Sequence, residues 1–107
     1  MGHQFGLVTY RFGKDEGTLI AEWVNDELLH PESEIGIGLA KRREENAESY
    51  AGTYDVEYWL DGNVIKLVLT IAEDGPIYKM TWAEGDKVTN TGFGFVSGDI
   101  LVAGYSR

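Results

Sequence analysis

Residues 53–82 read TYDVEYWLDGNVIKLVLTIAEDGPIYKMTW. Apolar and polar side chains alternate with period two, the spacing that sends successive residues to opposite faces of an extended chain. Tyr54, Val56 and Tyr58 share one phase, and Thr53, Asp55 and Glu57 share the other. Asp61-Gly62-Asn63 supplies the φ > 0 positions of a tight hairpin. Ile65, Leu67, Leu69 and Ile71 resume the alternation up to the turn Glu73-Asp74-Gly75-Pro76, and Tyr78, Met80 and Trp82 carry it onward. Three extended segments joined by such short turns decide the fold class: all-β, built as an antiparallel meander.

The same grammar continues in both directions. Downstream, Ala83-Glu84-Gly85-Asp86 turns the chain into Phe93 and Phe95 alternating with Gly92 and Gly94, and Ser97-Gly98-Asp99 leads to Leu101, Ala103 and Tyr105. Upstream, Val8, Tyr10 and Phe12 precede the turn Gly13 to Gly17, followed by Leu19, Ala21 and Trp23. A loop of about ten residues holding His30-Pro31 then leads to Ile35, Ile37 and Leu39, separated by Gly36 and Gly38. The segment Lys41 to Tyr50 (KRREENAESY) is rich in helix formers and charge and reads as a short helical or charged excursion near 41–50. Eight strands result. Residues 8–23 also line up without a gap on residues 67–82, Trp23 falling on Trp82, and each copy leads to a Gly-x-Gly strand, the pattern of a pseudo-duplicated repeat.

A flat eight-stranded sheet would leave two open edges and a bare apolar face, and closure removes both. Residues 1–107 are therefore expected to form a single β-barrel domain, an up-and-down barrel whose interior is filled by side chains or holds one small ligand. Turning the apolar phase of every strand inward collects Tyr10, Phe12, Trp23, Tyr54, Tyr58, Tyr78, Trp82, Phe93, Phe95 and Tyr105, ten of the thirteen aromatics. Arg11, Glu22, Lys41, Asp55, Glu57, Lys66 and Lys79 fall in the outward phase, and no charge falls inside.

Composition narrows the function. A net charge of −9 disfavours nucleic acid and anionic lipid as partners. The absence of cysteine excludes disulfides, thiolate metal sites and a cysteine nucleophile. Two histidines and no Asp-x-Asp-x-Asp-Gly loop point to no metal, and no phosphate-loop or nucleophile-elbow motif points to a cofactor. Residues 1–10 lack a basic region followed by an apolar run, and no stretch is long enough for a membrane-spanning helix, so the expected location is cytoplasmic.

The meander of eight short strands, with a strand-end Trp in each half and Gly-x-Gly strands, resembles the calycin-like small β-barrels, the lipocalin and avidin group. That resemblance implies binding of a small apolar or aromatic ligand inside the barrel. The Gly-x-Trp of lipocalins is missing here, and no biotin-binding position can be matched, so no ligand identity follows.

The expected ligand-binding residues are Trp23, Tyr54, Tyr58, Tyr78, Trp82 and Tyr105, whose rings would line the interior while hydroxyl and indole N–H groups orient the ligand. Plain core packing is the ordinary role of such rings in a small barrel; what speaks for a pocket is the number of hydroxyls, each needing a partner when buried unless it points into water at the rim. The function expected is binding without catalysis. One alternative is a small barrel enzyme, an isomerase or lyase, with His30 or a rim carboxylate as base and Tyr as acid. Another is a homodimer-forming interaction module with no ligand, suggested by outward Ile20, Val64, Val68, Ile77, Val96, Ile100 and Val102, and a homodimer is the expected assembly for that reason.

Overall fold

The computed structural model describes residues 4–27, 34–44 and 49–107. Its strands are β1 (Phe5–Phe12), β2 (Thr18–Asn25), β3 (Gly36–Arg42), β4 (Gly52–Leu60), β5 (Asn63–Asp74), β6 (Ile77–Glu84), β7 (Lys87–Ser97) and β8 (Ile100–Ser106). Each strand pairs antiparallel with the next, and β8 returns to β1, closing the barrel. No helix occurs among the described residues, so none there is long and apolar enough to cross a membrane.

The turn chemistry behaves as the sequence dictates. Leu60 pairs with Asn63 across the two-residue turn Asp61-Gly62, whose φ values of 54° and 81° are both left-handed, the geometry that follows the twist of the flanking strands. Leu69 and Ile71 on β5 face Tyr54 on β4 and Trp82 and Met80 on β6 within one buried cluster. None of the buried side chains among the described residues is charged. The exposed ion pairs Arg11–Glu22, Arg43–Asp55, Lys66–Glu57 and Lys79–Asp74 lie on the outer surface, where each contributes little.

Three expectations are corrected. On β7 the phase is reversed: Phe93 and Phe95 stand 66% and 56% exposed, while Gly92 and Gly94 face inward. The backbone of β8 approaches β7 closely: a Cβ on Gly92 would lie 2.2 Å from the Gly104 carbonyl oxygen and one on Gly94 2.0 Å from that of Val102, so only glycine fits there. On β3 the same inversion puts Gly36, Gly38 and Ala40 inside and leaves Ile37 exposed. Of the two readings of 41–50, the helical one is not met where the segment is described: Lys41 and Arg42 extend β3, Arg43, Glu44, Ser49 and Tyr50 are not helical, and residues 45–48 lie outside the described residues.

Phe12 keeps its inward phase but sits at the barrel end, 52% exposed, with its ring stacked on Tyr50 at 4.3 Å. The ungapped match between the two halves is not carried into the register. Trp23 pairs with Val8, whereas Trp82 pairs with Leu69 rather than Leu67, a displacement of two residues.

Candidate functional site

The two ends of the barrel differ. At the end formed by the β1–β2, β3–β4, β5–β6 and β7–β8 connections, Tyr50 acts as a plug. Its buried ring stacks on Phe12 and meets Tyr78 edge-on at 6.3 Å, and its hydroxyl lies within hydrogen-bond reach of the Tyr10 and Asp99 carbonyls, at 3.2 and 2.8 Å. Tyr54 donates to the Tyr50 carbonyl at 2.8 Å and accepts from the Arg42 guanidinium at 2.6 Å, which also lies 5.1 Å from the centre of the Tyr54 ring. Arg42 donates to the Ser49 carbonyl as well. A short polar network therefore ties the segment after β3 across this opening.

The other end is open among the described residues. A cavity of about 510 Å³ enters it, walled by Val8, Trp23, Ile65 and Leu67 and floored by Tyr10, Tyr58, Trp82 and Tyr105. Its rim carries Gln4, Asn25, Glu84, Lys87, Thr89, Asn90 and Arg107. A β-bulge at Trp82/Ala83 moves the register of β7 by one residue, bringing Val88, Thr89 and Asn90 all to the mouth. Bulges at barrel rims redirect side chains in this way.

Glycine keeps the lumen open. A Cβ on Gly36 would lie 2.2 Å from Trp23 Cε2, one on Gly6 2.4 Å from Tyr105 Cζ, and one on Gly38 2.7 Å from Tyr58 Cδ1. Three rings that line the cavity thus lie against glycines of a neighbouring strand. Trp23 is held in that pose by its indole N–H, which donates to the Ile37 carbonyl at 3.1 Å, and by an edge-to-face contact with Tyr58 at 6.1 Å. Tyr105 donates to the Val24 carbonyl at 3.1 Å and leans on Trp82 at 5.6 Å.

At the floor, the Trp82 indole N–H donates to Tyr58 Oη at 2.7 Å, and Tyr58 Oη is 2.6 Å from Tyr10 Oη. Burial pushes the Tyr10 and Tyr58 hydroxyls well above the ordinary tyrosine range, and it pushes Tyr105 up to about 12. All three are neutral donors near pH 7. Positive charge reaches the site only at the rim, through Lys87 and Arg107.

Of the six ring residues expected from the sequence, the structure brings Trp23, Tyr58, Trp82 and Tyr105 together around the cavity. Tyr54 and Tyr78 stand at the plugged end, Tyr54 bordering a separate cleft of about 280 Å³ and Tyr78 donating to Glu73 at 3.1 Å. The sequence reading had turned Tyr10 inward without assigning it to the site. The rim residues were missed altogether, because polar side chains next to turns carry no periodic signal. His30 lies outside the described residues. No group of three or more His, Asp or Glu able to hold a metal ion comes together among the described residues. No family model, curated protein or solved structure matches this chain.

Proposed function

We propose that this protein is a small-molecule binding barrel of the calycin-like kind, taking one uncharged apolar or aromatic ligand into the open end and performing no chemistry on it. The observation that carries this reading is the cavity of about 510 Å³, within the range of drug-sized ligand sites, with mostly apolar walls and a few convergent hydrogen-bond donors. Glycines at positions 6, 36 and 38 support it, because the Tyr105, Trp23 and Tyr58 rings pack against them and are thereby drawn back into the wall of the cavity. Titration of the protein with 2-isopropenylnaphthalene tests it, read through the fluorescence of Trp23 and Trp82. Saturable binding of one molecule per barrel is expected. A signal that stays flat up to the solubility limit of the probe would sink the proposal.

A second reading, compatible with the first, is that a second copy of the chain covers the outer face of β6, β7, β8 and β1. Leu7 and Phe93 flank Gly104 in one cross-strand row, and Val102, Phe95 and Ile77 lie in the next, with Leu7, Phe93, Phe95 and Ile77 all at least 41% exposed. No acidic residue stands at an outward position of β1, β7 or β8, which removes like-charge repulsion from the only kind of approach open to two chains of charge −9. Exposed aromatic patches of this kind mark interfaces. Light scattering at micromolar concentration is expected to give twice 11.9 kDa, and Phe93→Lys to return it to 11.9 kDa. A wild-type mass of 11.9 kDa would rule the dimer out.

A further inference from the structure

The hydrogen-bond inventory of the cavity floor does not close on itself. An indole N–H can only donate, so the bond between Trp82 and Tyr58 uses a lone pair of Tyr58 Oη. The contact between Tyr10 Oη and Tyr58 Oη uses one hydroxyl hydrogen, in whichever direction it runs, yet the pair carries two. If Tyr10 donates, the hydrogen of Tyr58 is left over; if Tyr58 donates, that of Tyr10 is. Neither hydroxyl has another acceptor among the described residues, and both residues line the cavity. Tyr10 has no exposed surface and Tyr58 keeps 7% of its own, so the pair presents its spare hydrogen to the well through Tyr58, with Tyr10 donating to Tyr58. An unmet donor at the bottom of a mostly apolar well is costly.

We propose that this floor is a carbonyl-binding subsite: the ligand enters with an uncharged ketone, aldehyde, ester or amide oxygen leading and accepts the spare hydroxyl hydrogen of the Tyr10–Tyr58 pair. This inference rests on the reading of the cavity as a ligand site and adds the functional group the ligand carries. An uncharged acceptor fits better than a carboxylate, because Lys87 and Arg107 stand at the rim and no cation stands at the floor. A buried anion without a countercharge is strongly disfavoured. A carbonyl also fits better than a hydroxyl, since it brings lone pairs and no hydrogen needing an acceptor of its own. Val8, Leu67 and the face of Trp23 would enclose its apolar body. Both tyrosines stay protonated well beyond neutral pH, so the donor is present throughout the physiological range.

A pair of probes of nearly equal shape, 2-acetylnaphthalene and 2-isopropenylnaphthalene, separates the carbonyl from the body that carries it. The wild-type protein is expected to bind the ketone roughly three- to tenfold more tightly than the alkene, the worth of one net hydrogen bond. Tyr10→Phe leaves the Tyr58 hydrogen free to face the cavity and is expected to keep that preference. Because Tyr58→Phe alone frees the Trp82 indole N–H as a substitute donor, the floor is stripped of both in Tyr10→Phe/Tyr58→Phe/Trp82→Phe, where the ketone and the alkene are expected to bind within about twofold of each other.

Equal affinities of the wild type for the two probes would overturn the carbonyl subsite and leave the binding barrel standing. Binding of neither probe would overturn both. A preference undiminished in the triple variant would remove the tyrosine pair from the assignment. Infrared spectroscopy of carbonyl-labelled 2-acetylnaphthalene on the wild type needs no variant: the bound C=O stretch is expected below its position in hexane, and a stretch left at the hexane value contradicts the proposal.

Discussion

Gly94→Ala is expected to cost the barrel about 3–5 kcal/mol, near the top of the range for a single substitution. The added Cβ would lie 2.0 Å from the Val102 carbonyl oxygen and 2.8 Å from Ala103 Cα and Cβ. Most of these atoms are backbone of the paired strand, so no side chain can swing aside. Relief requires β7 and β8 to separate, and with them the hydrogen bonds that close the barrel. For a chain of this size that corresponds to a melting temperature lower by about 15–30 °C, measurable by circular dichroism. Gly104→Ala is the matched control in the same strand pair. Its Cβ would meet nothing closer than 3.8 Å, and it is expected to be neutral or to stabilise by about 0.4–1 kcal/mol through the unfolded chain. If the two substitutions shift the melting temperature alike, the close approach of β7 and β8 is not a real constraint.

Gly36→Ala is expected to close the mouth. Here the added Cβ meets only ring atoms of Trp23, at 2.2 to 2.6 Å, so the ring can yield, and the space open to it is the lumen. Loss of the bond to the Ile37 carbonyl and overpacking together are expected to cost about 1–3 kcal/mol. Affinity for 2-isopropenylnaphthalene is expected to fall at least about tenfold, as the ring takes the volume the probe would occupy. Trp23→Leu removes the colliding ring, so Gly36→Ala should cost much less in that background than in the wild type, a coupling a double-mutant cycle reads directly. If Gly36→Ala binds the probe as the wild type does, the glycine has no part in keeping the lumen open.

These two glycines also explain where the sequence was readable and where it was not. β5 was legible because its inward Ile65, Leu67, Leu69 and Ile71 are the larger residues of their phase and Asp61-Gly62 fixes the register. β7 was misread by the same logic: in Phe93-Gly94-Phe95 the apolar residues point out, because the close approach of β8 leaves no room for a side chain on the inward side. Hydrophobicity ranks residues one at a time, whereas the volume left inside a small barrel depends on what the adjoining strands contribute. Tyr50 was hidden for another reason. It follows a charged segment with no apolar periodicity, yet it closes one end of the barrel with two carbonyl contacts and two ring contacts. Without that plug in view, all six candidate rings seemed to belong to one interior site, and Tyr54 and Tyr78 could not be separated from the four that surround the cavity.

The most direct test of an interior site at the open end uses the three tryptophans, two of which border the cavity while Trp59 lies on the outward phase of β4 beside Ile37 and Val64. Their indole N–H resonances can be followed in a nitrogen-15 correlation spectrum as 2-isopropenylnaphthalene is added. Trp23 and Trp82 are expected to shift together and saturate at one probe per barrel, with Trp59 unmoved. A shift confined to Trp59, or a saturable titration in which Trp23 and Trp82 stay in place, would put the ligand on the outside and contradict an interior site.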